Sequence, residues 1–477
     1  MSTSPDLSLS ALRPSRPSPS LEAARGVART AASLGGRALF VGGCVRDALM
    51  GRECHDFDVE VHGVTPETLL PALAERWPLD EVGESFGVVK LKGLDVDVSL
   101  PRRETRLGEG HRDFAVDSDP FLSPAEAAAR RDFTVNAVMA DPITLEVIDP
   151  HGGVEDLRNG VLRHVSRHFS EDPLRVLRGM QFLARFPFLA PAPETIALCS
   201  SMSQSALPRE RIAAEWEKLL VGGAAPSRGL EFLRHCGWLR FYPELAALPG
   251  CPQDPTFHPE GDVWTHTLLA LDAVPALRTG VRSDDLAVAL AVLCHDLGKP
   301  STTARGDDGR IHAYTHELAG VEPTRTFVLR LWNQRKFADL VATLVRLHMR
   351  PVPLVIEKAG DRAWRRLAVD AGRLDLLAGV VECDIRGTTP AGGNPDSHES
   401  LWIVREFRER IERLAIQREA PRPIVLGRHL IARGMKPGPD FGPILDACYD
   451  AQISGEITDE ATGLSFLDNY LSSTRRQ

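Results

Sequence analysis

Two carboxylates two residues apart, Asp56 and Asp58, flank an aromatic in the stretch "HDFDVE". In an extended strand alternate residues share a face, roughly 6–7 Å apart. The two acids therefore point together, and Phe57 points to the opposite, core side. Adjacent carboxylates repel unless a cation sits between them. Mg²⁺ takes oxygen ligands and is commonly held by one or two carboxylates plus substrate phosphates. A pair of such ions, about 3.5–4 Å apart, activates a hydroxyl and stabilises a leaving pyrophosphate. Asp97 in "LDVDV" is a candidate third acid from a neighbouring strand. A D-x-D pair alone describes many solvated strand faces, so its context matters. Gly42 and Gly43 follow the apolar "ALFV", and "CVRDALM" then reads as a helix stopped by Gly51. Small residues at a strand-to-helix turn let backbone N–H groups approach phosphate oxygens.

A second group lies in "EDPLRVLRGMQFLARF" (171–186). Pro173 suits a first helical position, with Asp172 as N-cap. Asp172 and Arg175 are three apart and can meet on one face. A capped helix with an ion pair is the plain reading of that stretch alone.

The third group is a series of histidines and acids on apolar helical stretches. His266 sits in "DVWTHTLLALDAV", His295 and Asp296 in "LAVLCHDLGKP", His316 in "HAYTHELAG", His348 in "RLHMRP" and Asp384 in "VECDIRG". One such histidine is usually a satisfied core residue. A recurring set suits a divalent transition metal, which makes water a nucleophile near neutral pH.

The elements that must position these groups fall into two textures. Residues 37–150 alternate short apolar runs with Gly and Pro stops, which predicts strands at 37–43, 56–63, 86–93, 94–101 and 145–150. The helix "TPETLLPALAERW" carries Thr65 as N-cap and Pro66 as its first residue. Beyond Glu171 the apolar spacing is helical almost throughout. With 477 residues the chain is too long for one core. The Ser- and Pro-rich start reads as a disordered tail, and no apolar run is long enough to span a bilayer. Eight scattered cysteines without C-x-x-C spacing argue for reduced thiols and a cytoplasmic protein. The net charge is −9, yet six arginines between Arg158 and Arg185 face only two acids. A basic strip inside an acidic protein can still track phosphates.

"GGCVRDALMGRECHDFD" resembles the nucleotide-binding motif of the class II tRNA nucleotidyltransferases, the CCA-adding enzymes, and of the related bacterial poly(A) polymerases. Further stretches follow in that family's order. "RRDFTVNAV" (130–138) resembles its ribose-recognising motif, "DPHGGVEDL" (149–157) the connector, "EDPLRVLRGMQFLARF" the base-selecting helix and "RERIAAEWEKLL" (209–220) the next neck motif. The histidine series resembles the HD metal-dependent phosphohydrolases, which places the chain with the bacterial CCA-adding enzymes that carry a C-terminal HD domain.

The resemblance implies an α+β fold: a polymerase-β-like nucleotidyltransferase head with a small mixed sheet, then helical neck, HD domain and tail. The expected division is a disordered tail over 1–25, head over 26–155, neck over 156–235, HD domain over 236–400 and helical tail over 401–477. It implies Asp56 and Asp58 as catalytic Mg²⁺ ligands with Asp97 in reserve. Nucleotide contacts fall on Gly42, Gly43, Arg46, Arg130, Arg131, Asp132, Asn136, Asp172, Arg175 and Arg178. Base selection falls on Asp172 and Arg175, supported by Glu171. Cytosine and adenine both present an amino donor beside a ring-nitrogen acceptor, and uracil and guanine present the reverse. A carboxylate beside a guanidinium therefore accepts C and A, and the wrong base leaves buried groups unpaired. In the HD stretch His266, His295, Asp296 and Asp384 are implied metal ligands, with His316, His348 and Lys299 as further ligands or phosphate contacts. Arg102, Arg103, Arg106, His111 and Arg112, in a stretch resembling the head's mobile loop, are candidate phosphate contacts. The expected partners are tRNA, CTP and ATP. Rival readings are an enzyme adding only CC or only A, a poly(A) polymerase, and a repair phosphohydrolase whose head only binds RNA.

Overall fold

The structure is a computed structural model that describes all residues except 1–7, 15, 82–87, 107–113, 205–206, 389–392, 395, 397–398 and 475–477. The chain divides into two compact units, Met1–Phe241 and Tyr242–Gln477.

The first unit is mixed α and β. Helix α1 spans Pro19–Ser33, and the Ser18 hydroxyl caps it by accepting from Leu21 N at 3.1 Å. A short 3-10 turn at Leu9–Leu12 precedes it, with Leu12 buried. The expected disordered tail to residue 25 is therefore corrected. Leu21, Ala24 and Val27 give α1 an apolar face that the sheet buries, which a reading of the first twenty residues by composition overlooks.

Strand β1 (Arg37–Val41) leads into helix α2 (Gly43–Leu49), and β2 covers Phe57–His62. Helix α3 (Pro66–Ala74) has Thr65 at its N-cap position, though the Thr65 side chain makes no capping bond to the backbone. Strands β3 (Leu79–Glu81), β4 (Val88–Leu91) and β5 (Val96–Ser99) follow, then the hairpin β6 (Arg102–Arg106) and β7 (Phe114–Ser118), and finally β8 (Met139–Ala140) and β9 (Val147–Ile148). The main sheet has the order β3-β4-β5-β2-β1-β8-β9. Its β2–β5 pair is parallel, setting Asp58 beside Asp97, and β1–β2 is antiparallel. Phe57 is buried against Phe40 with ring centroids 5.6 Å apart. Burying such a ring is worth about 1.5–3 kcal/mol, and it fixes which face of β2 carries the acids. The stretch read as a mobile loop forms the β6–β7 hairpin and a helix at Pro124–Ala128, while His111 and Arg112 lie outside the described residues.

The helix Leu174–Arg185 packs on the helices Arg209–Gly222 and Pro226–His235. Phe133, from the sheet region, meets Phe169 and Phe182 with centroids 5.4 and 5.7 Å apart. Head and neck stretches thus share buried aromatic packing, the physical reason they fall in one unit.

The second unit is helical. Val263–Ala273, Arg282–Cys294, Arg335–Leu347 and Leu374–Gly387 pack on one another. Near the C-terminus the helices Gly427–Ile431, Phe441–Ser454 and Glu460–Thr474 build a core from Leu430, Cys448, Ile457 and Leu467. The described residues include no helix long and apolar enough to cross a membrane.

Candidate functional site

The turn between β1 and α2 requires glycine. Gly42 has φ +70° and ψ −131°, and a Cβ there would stand 3.4 Å from both Asp58 Oδ2 and an Arg131 nitrogen. Asp56 and Asp58 are exposed at the start of β2. Desolvation pushes the Asp58 carboxyl up, and the Asp56 charge adds to this against the pull of Arg131. Desolvation and then Asp97 raise Asp56 in the same way. Mutual repulsion among oxygen donors on one strand face is the state a divalent cation relieves, so the three acids fit Mg²⁺. Asp97 lies 3.0 Å from the Lys90 ammonium, which partly neutralises it.

Behind the acids runs a chain of hydrogen bonds. The Arg46 guanidinium donates to Asn136 Oδ1 at 2.7 Å, and Asn136 donates to Asp132 Oδ1 at 2.9 Å. Arg178 donates to Asp132 Oδ2 at 2.7 Å. Arg46 also lies over the Phe182 and Phe186 rings, 5.1 and 4.8 Å from their centroids. The β1–α2 turn, the 130–138 stretch and the Leu174–Arg185 helix are thereby tied together.

Two expectations for "EDPLR" are corrected. Helix Leu174–Arg185 begins one residue later than expected, with Pro173 at its N-cap position, although Asp172 Oδ1 accepts from Leu174 N at 3.0 Å. The ion pair of Asp172 runs to Arg211, at 2.9 Å, on the neighbouring helix. Arg175 instead donates to the carbonyls of His168 and Arg130, both at 2.6 Å. Backbone carbonyls hold its guanidinium plane, and Glu171 pairs with Arg130 at 2.8 Å. Gly42, Arg46, Asp58, Arg131, Asp172 and Arg175 all line one cavity of about 450 Å³.

Sequence reading missed three residues here. Glu60 is buried, pairs with Arg131 and His62 at 3.2 Å each, and continues the alternation of Asp56 and Asp58. Arg211 and Lys218 line the same cavity from "RERIAAEWEKLL", where only side-chain direction on a folded helix reveals them.

The second unit gathers its histidines as donors. His295, His316 and His348 each direct Nδ1 at a main-chain carbonyl, of Val292, Ala313 and Val345, at 2.7, 2.8 and 2.6 Å. His266 directs Nδ1 at Glu260 Oε1, at 2.8 Å. An imidazole that donates through Nδ1 presents Nε2 as a lone pair. These Nε2 atoms converge: His266 and His295 lie 3.0 Å apart, His316 and His348 3.4 Å. Asp384 Oδ1 is 3.1 Å from His266 Nε2, and Asp296 Oδ2 is 3.3 Å from His295 Nε2. His316 Nε2 lies 3.5 Å from Asp296 Oδ1. Among the described residues three overlapping donor sets result, His258–Glu260–His266, His266–His295–Asp296 and Asp296–His316–His348. Both Asp296 oxygens are buried without a well-aligned hydrogen bond among the described residues, while Lys299 Nζ stands 2.8 Å from Oδ2. Converging lone pairs and unsatisfied carboxylate oxygens fit a divalent metal ion.

Burial alone would lower the pKa of His266, but Asp384 and Glu260 outweigh it and push it up to about 9. His266 therefore offers Nε2 as a lone pair to a metal only once its second ring proton is lost. His348, buried beside His295, is pushed down to about 4. Glu260 and His258 join this group unannounced by the sequence series, His258 Nδ1 lying 2.8 Å from the same Glu260 oxygen.

Residues 38–163 match the Poly A polymerase head domain family. The multifunctional CCA protein of Xanthomonas campestris pv. campestris (strain B100) is 36% identical over 430 residues, covering 87% of this chain and 97% of that protein. That of Nitrosococcus oceani is 39% identical over 368 residues, covering 74% and 86%. This chain belongs to the multifunctional CCA protein family. The fold agrees with solved CCA-adding enzymes. One from Bacillus stearothermophilus in complex with CTP aligns over 96% of this chain and 100% of its own, with TM-score 0.64 and 24% identity. The Thermotoga maritima enzyme, complexed with tRNA, aligns over 97% and 98%, with TM-score 0.59 and 17% identity. Membership in this family accounts for the α+β head followed by helices.

Proposed function

We propose that this chain adds cytidylate and adenylate, from CTP and ATP, to the 3′ end of tRNA without a nucleic-acid template. The observation that carries this is the single cavity lined by Gly42, Asp58, Arg131, Asp172 and Arg175. It brings together a glycine turn suited to phosphate, an acid of the Mg²⁺-binding type, and the separately held Asp172 carboxylate and Arg175 guanidinium. The names of the relatives support it. Asp56 and Asp58, with Asp97 beside them, would hold Mg²⁺, which supplies charge neutralisation on the phosphates and a more acidic 3′-hydroxyl. The α2 N-terminus and Arg46 receive the triphosphate. Arg130, Arg131, Asp132 and Asn136 set the ribose side, with Asp132 and Asn136 held through Arg178 and Arg46. The terminal hydroxyl attacks the α-phosphorus in line, and pyrophosphate leaves.

Asp172 and Arg175 read the base, with Glu171 holding the surrounding turn. The Arg175 guanidinium is already fixed by two carbonyls, so a base meets a preformed edge. Arg211 on Asp172 is an ion pair that a cytosine or adenine amino group must share. RNA is recognised by shape and phosphate.

For the second unit we read a phosphohydrolase of the HD type in a cytoplasmic protein. His266, His295, Asp296 and Asp384 would hold one divalent ion, and His316 and His348 with Asp296 extend the donor set. Such an ion supplies an activated water at neutral pH. Lys299 holds Asp296 and faces the phosphate.

The test incubates the chain with tRNA lacking CCA plus CTP, ATP or both, and reads product length. Addition of three nucleotides only when both are present is expected. Products ending at CC with both nucleotides would refute full CCA addition, and long A tracts would make it a poly(A) polymerase. Asp58→Ala is expected to abolish incorporation and spare phosphate hydrolysis. Loss of both activities together would refute separate sites.

A further inference from the structure

Strand β2 carries three titratable side chains on one side. Asp58, Glu60 and His62 alternate with the buried Phe57, Val59 and Val61, so they share a face at intervals of about 6–7 Å. Asp58 is exposed, whereas Glu60 and His62 are buried. Glu60 sits inside the sheet, opposite Leu39 of β1 and beside Ser99 of β5. Its Oε1 lies 3.2 Å from His62 Nε2, and His62 Nδ1 lies 3.0 Å from the Leu122 carbonyl. Its Oε2 accepts from Arg131 Nη2 at 3.2 Å. Among the described residues that is the one hydrogen bond of the Arg131 guanidinium, whose Nε is buried without a partner.

The other edge of that guanidinium serves the nucleotide cavity, which Arg131 lines and Glu60 does not. A Cβ on Gly42 would stand 3.4 Å from Arg131 Nη1 and 3.4 Å from Asp58 Oδ2, so those two atoms are at most about 7 Å apart. Yet among the described residues no ion pair joins Arg131 to Asp58, and the guanidinium pairs with Glu60. Screening explains the choice. Salt and water weaken the pull of the exposed Asp58 more than that of the buried Glu60, and a buried carboxylate is almost never left unpaired.

We propose, resting on the transfer reading of this cavity, that Glu60 is a positioning residue for nucleotide addition. It anchors Arg131 at the cavity wall and keeps the guanidinium off Asp58, whose oxygens stay open to a divalent cation. Without Glu60, Arg131 turns to Asp58 and competes with Mg²⁺ for that carboxylate.

The experiment takes the full-length chain with tRNA lacking CCA and saturating CTP, and reads the Mg²⁺ concentration that gives half-maximal CMP incorporation. Glu60→Ala is expected to raise it about tenfold, the low end for the loss of a group that supports a metal-ligating side chain, with kcat recovering at saturating Mg²⁺. Glu60→Gln keeps an acceptor for Arg131 but lacks the charge, and should raise it less. Unchanged half-saturation in Glu60→Ala, or in Glu60→Gln should the alanine variant not fold, overturns the assignment. A lower kcat at every Mg²⁺ level with half-saturation unchanged is the mark of a purely structural role, and overturns it as well. Metal-free crystals of wild type and of the folded variant give a readout without activity. Arg131 is expected to form an ion pair with Asp58 in the variant alone, and a guanidinium that stays in place overturns the proposal. Should wild type incorporate no CMP, the transfer reading fails, while the crystals still decide where Arg131 goes.

Discussion

Removal of the Asp132 carboxylate tests the network that links the β1–α2 turn to the Leu174–Arg185 helix. Asp132 is buried and accepts from Arg178 at 2.7 Å, from its neighbour Phe133 N at 2.7 Å and from Asn136 at 2.9 Å. Burial by itself would raise its pKa, but the Arg178 charge and these hydrogen bonds outweigh that, and the carboxyl is held below the ordinary range. Asp132→Ala strands all three donors. Removing one partner of a buried pair costs about 3–5 kcal/mol. Arg178 keeps 37% of its side chain exposed, so water recovers part of the loss and about 3 kcal/mol is expected. That is on the order of a hundredfold. Hydrogen exchange of the Leu174–Arg185 amides should therefore quicken by about that factor, and CMP incorporation should fall with it. Asp132→Asn keeps an acceptor and should cost less. Because the folded pKa is lowered, this stabilisation is fully present above the unfolded aspartate value, about 3.9, and is lost as pH falls through the lowered value. The variant should lack that part of the acid sensitivity. A change in exchange below about threefold would refute the reasoning.

Gly42→Ala forces a side chain into a positive-φ turn 3.4 Å from Asp58. Strain of about 1–3 kcal/mol should lower kcat/KM for CTP by about 5- to 150-fold. Asp172→Ala should relax base choice more than it slows chemistry, read as the ratio of CTP to UTP incorporation. An unchanged ratio would remove Asp172 from base reading. Glu260→Ala removes the partner of His266 Nδ1 and should weaken metal binding about 10–100-fold, measured by equilibrium dialysis, with Glu260→Gln partly restoring it. Since His266 holds its proton up to about pH 9, a metal must displace it, so metal affinity of the wild type should rise with pH across the neutral range.

The site chemistry was legible where it depends on local rules. Alternation along "HDFDVE" set Asp58 opposite the buried Phe57, and the glycine requirement at the β1–α2 turn followed from residue type. Apolar helical spacing announced the histidine helices. What local rules missed came from residues far apart in sequence. Arg211 reaches Asp172 across 39 positions and took the partner that i,i+3 spacing had assigned to Arg175. Glu260 meets His266 through a turn whose course periodicity does not encode. The early α1 was hidden because the Ser- and Pro-rich residues before it dominate the composition of the start.

By itself, then, the sequence determined residue types and their faces: acids beside a glycine turn, a guanidinium and carboxylate at one helix start, and ligand-type side chains on apolar helices. Only the tertiary structure decided which of them meet. Hydrogen bonding and burial are settled by neighbours in space, and His266 and Asp384, 118 residues apart, lie 3.1 Å from each other only because their helices pack.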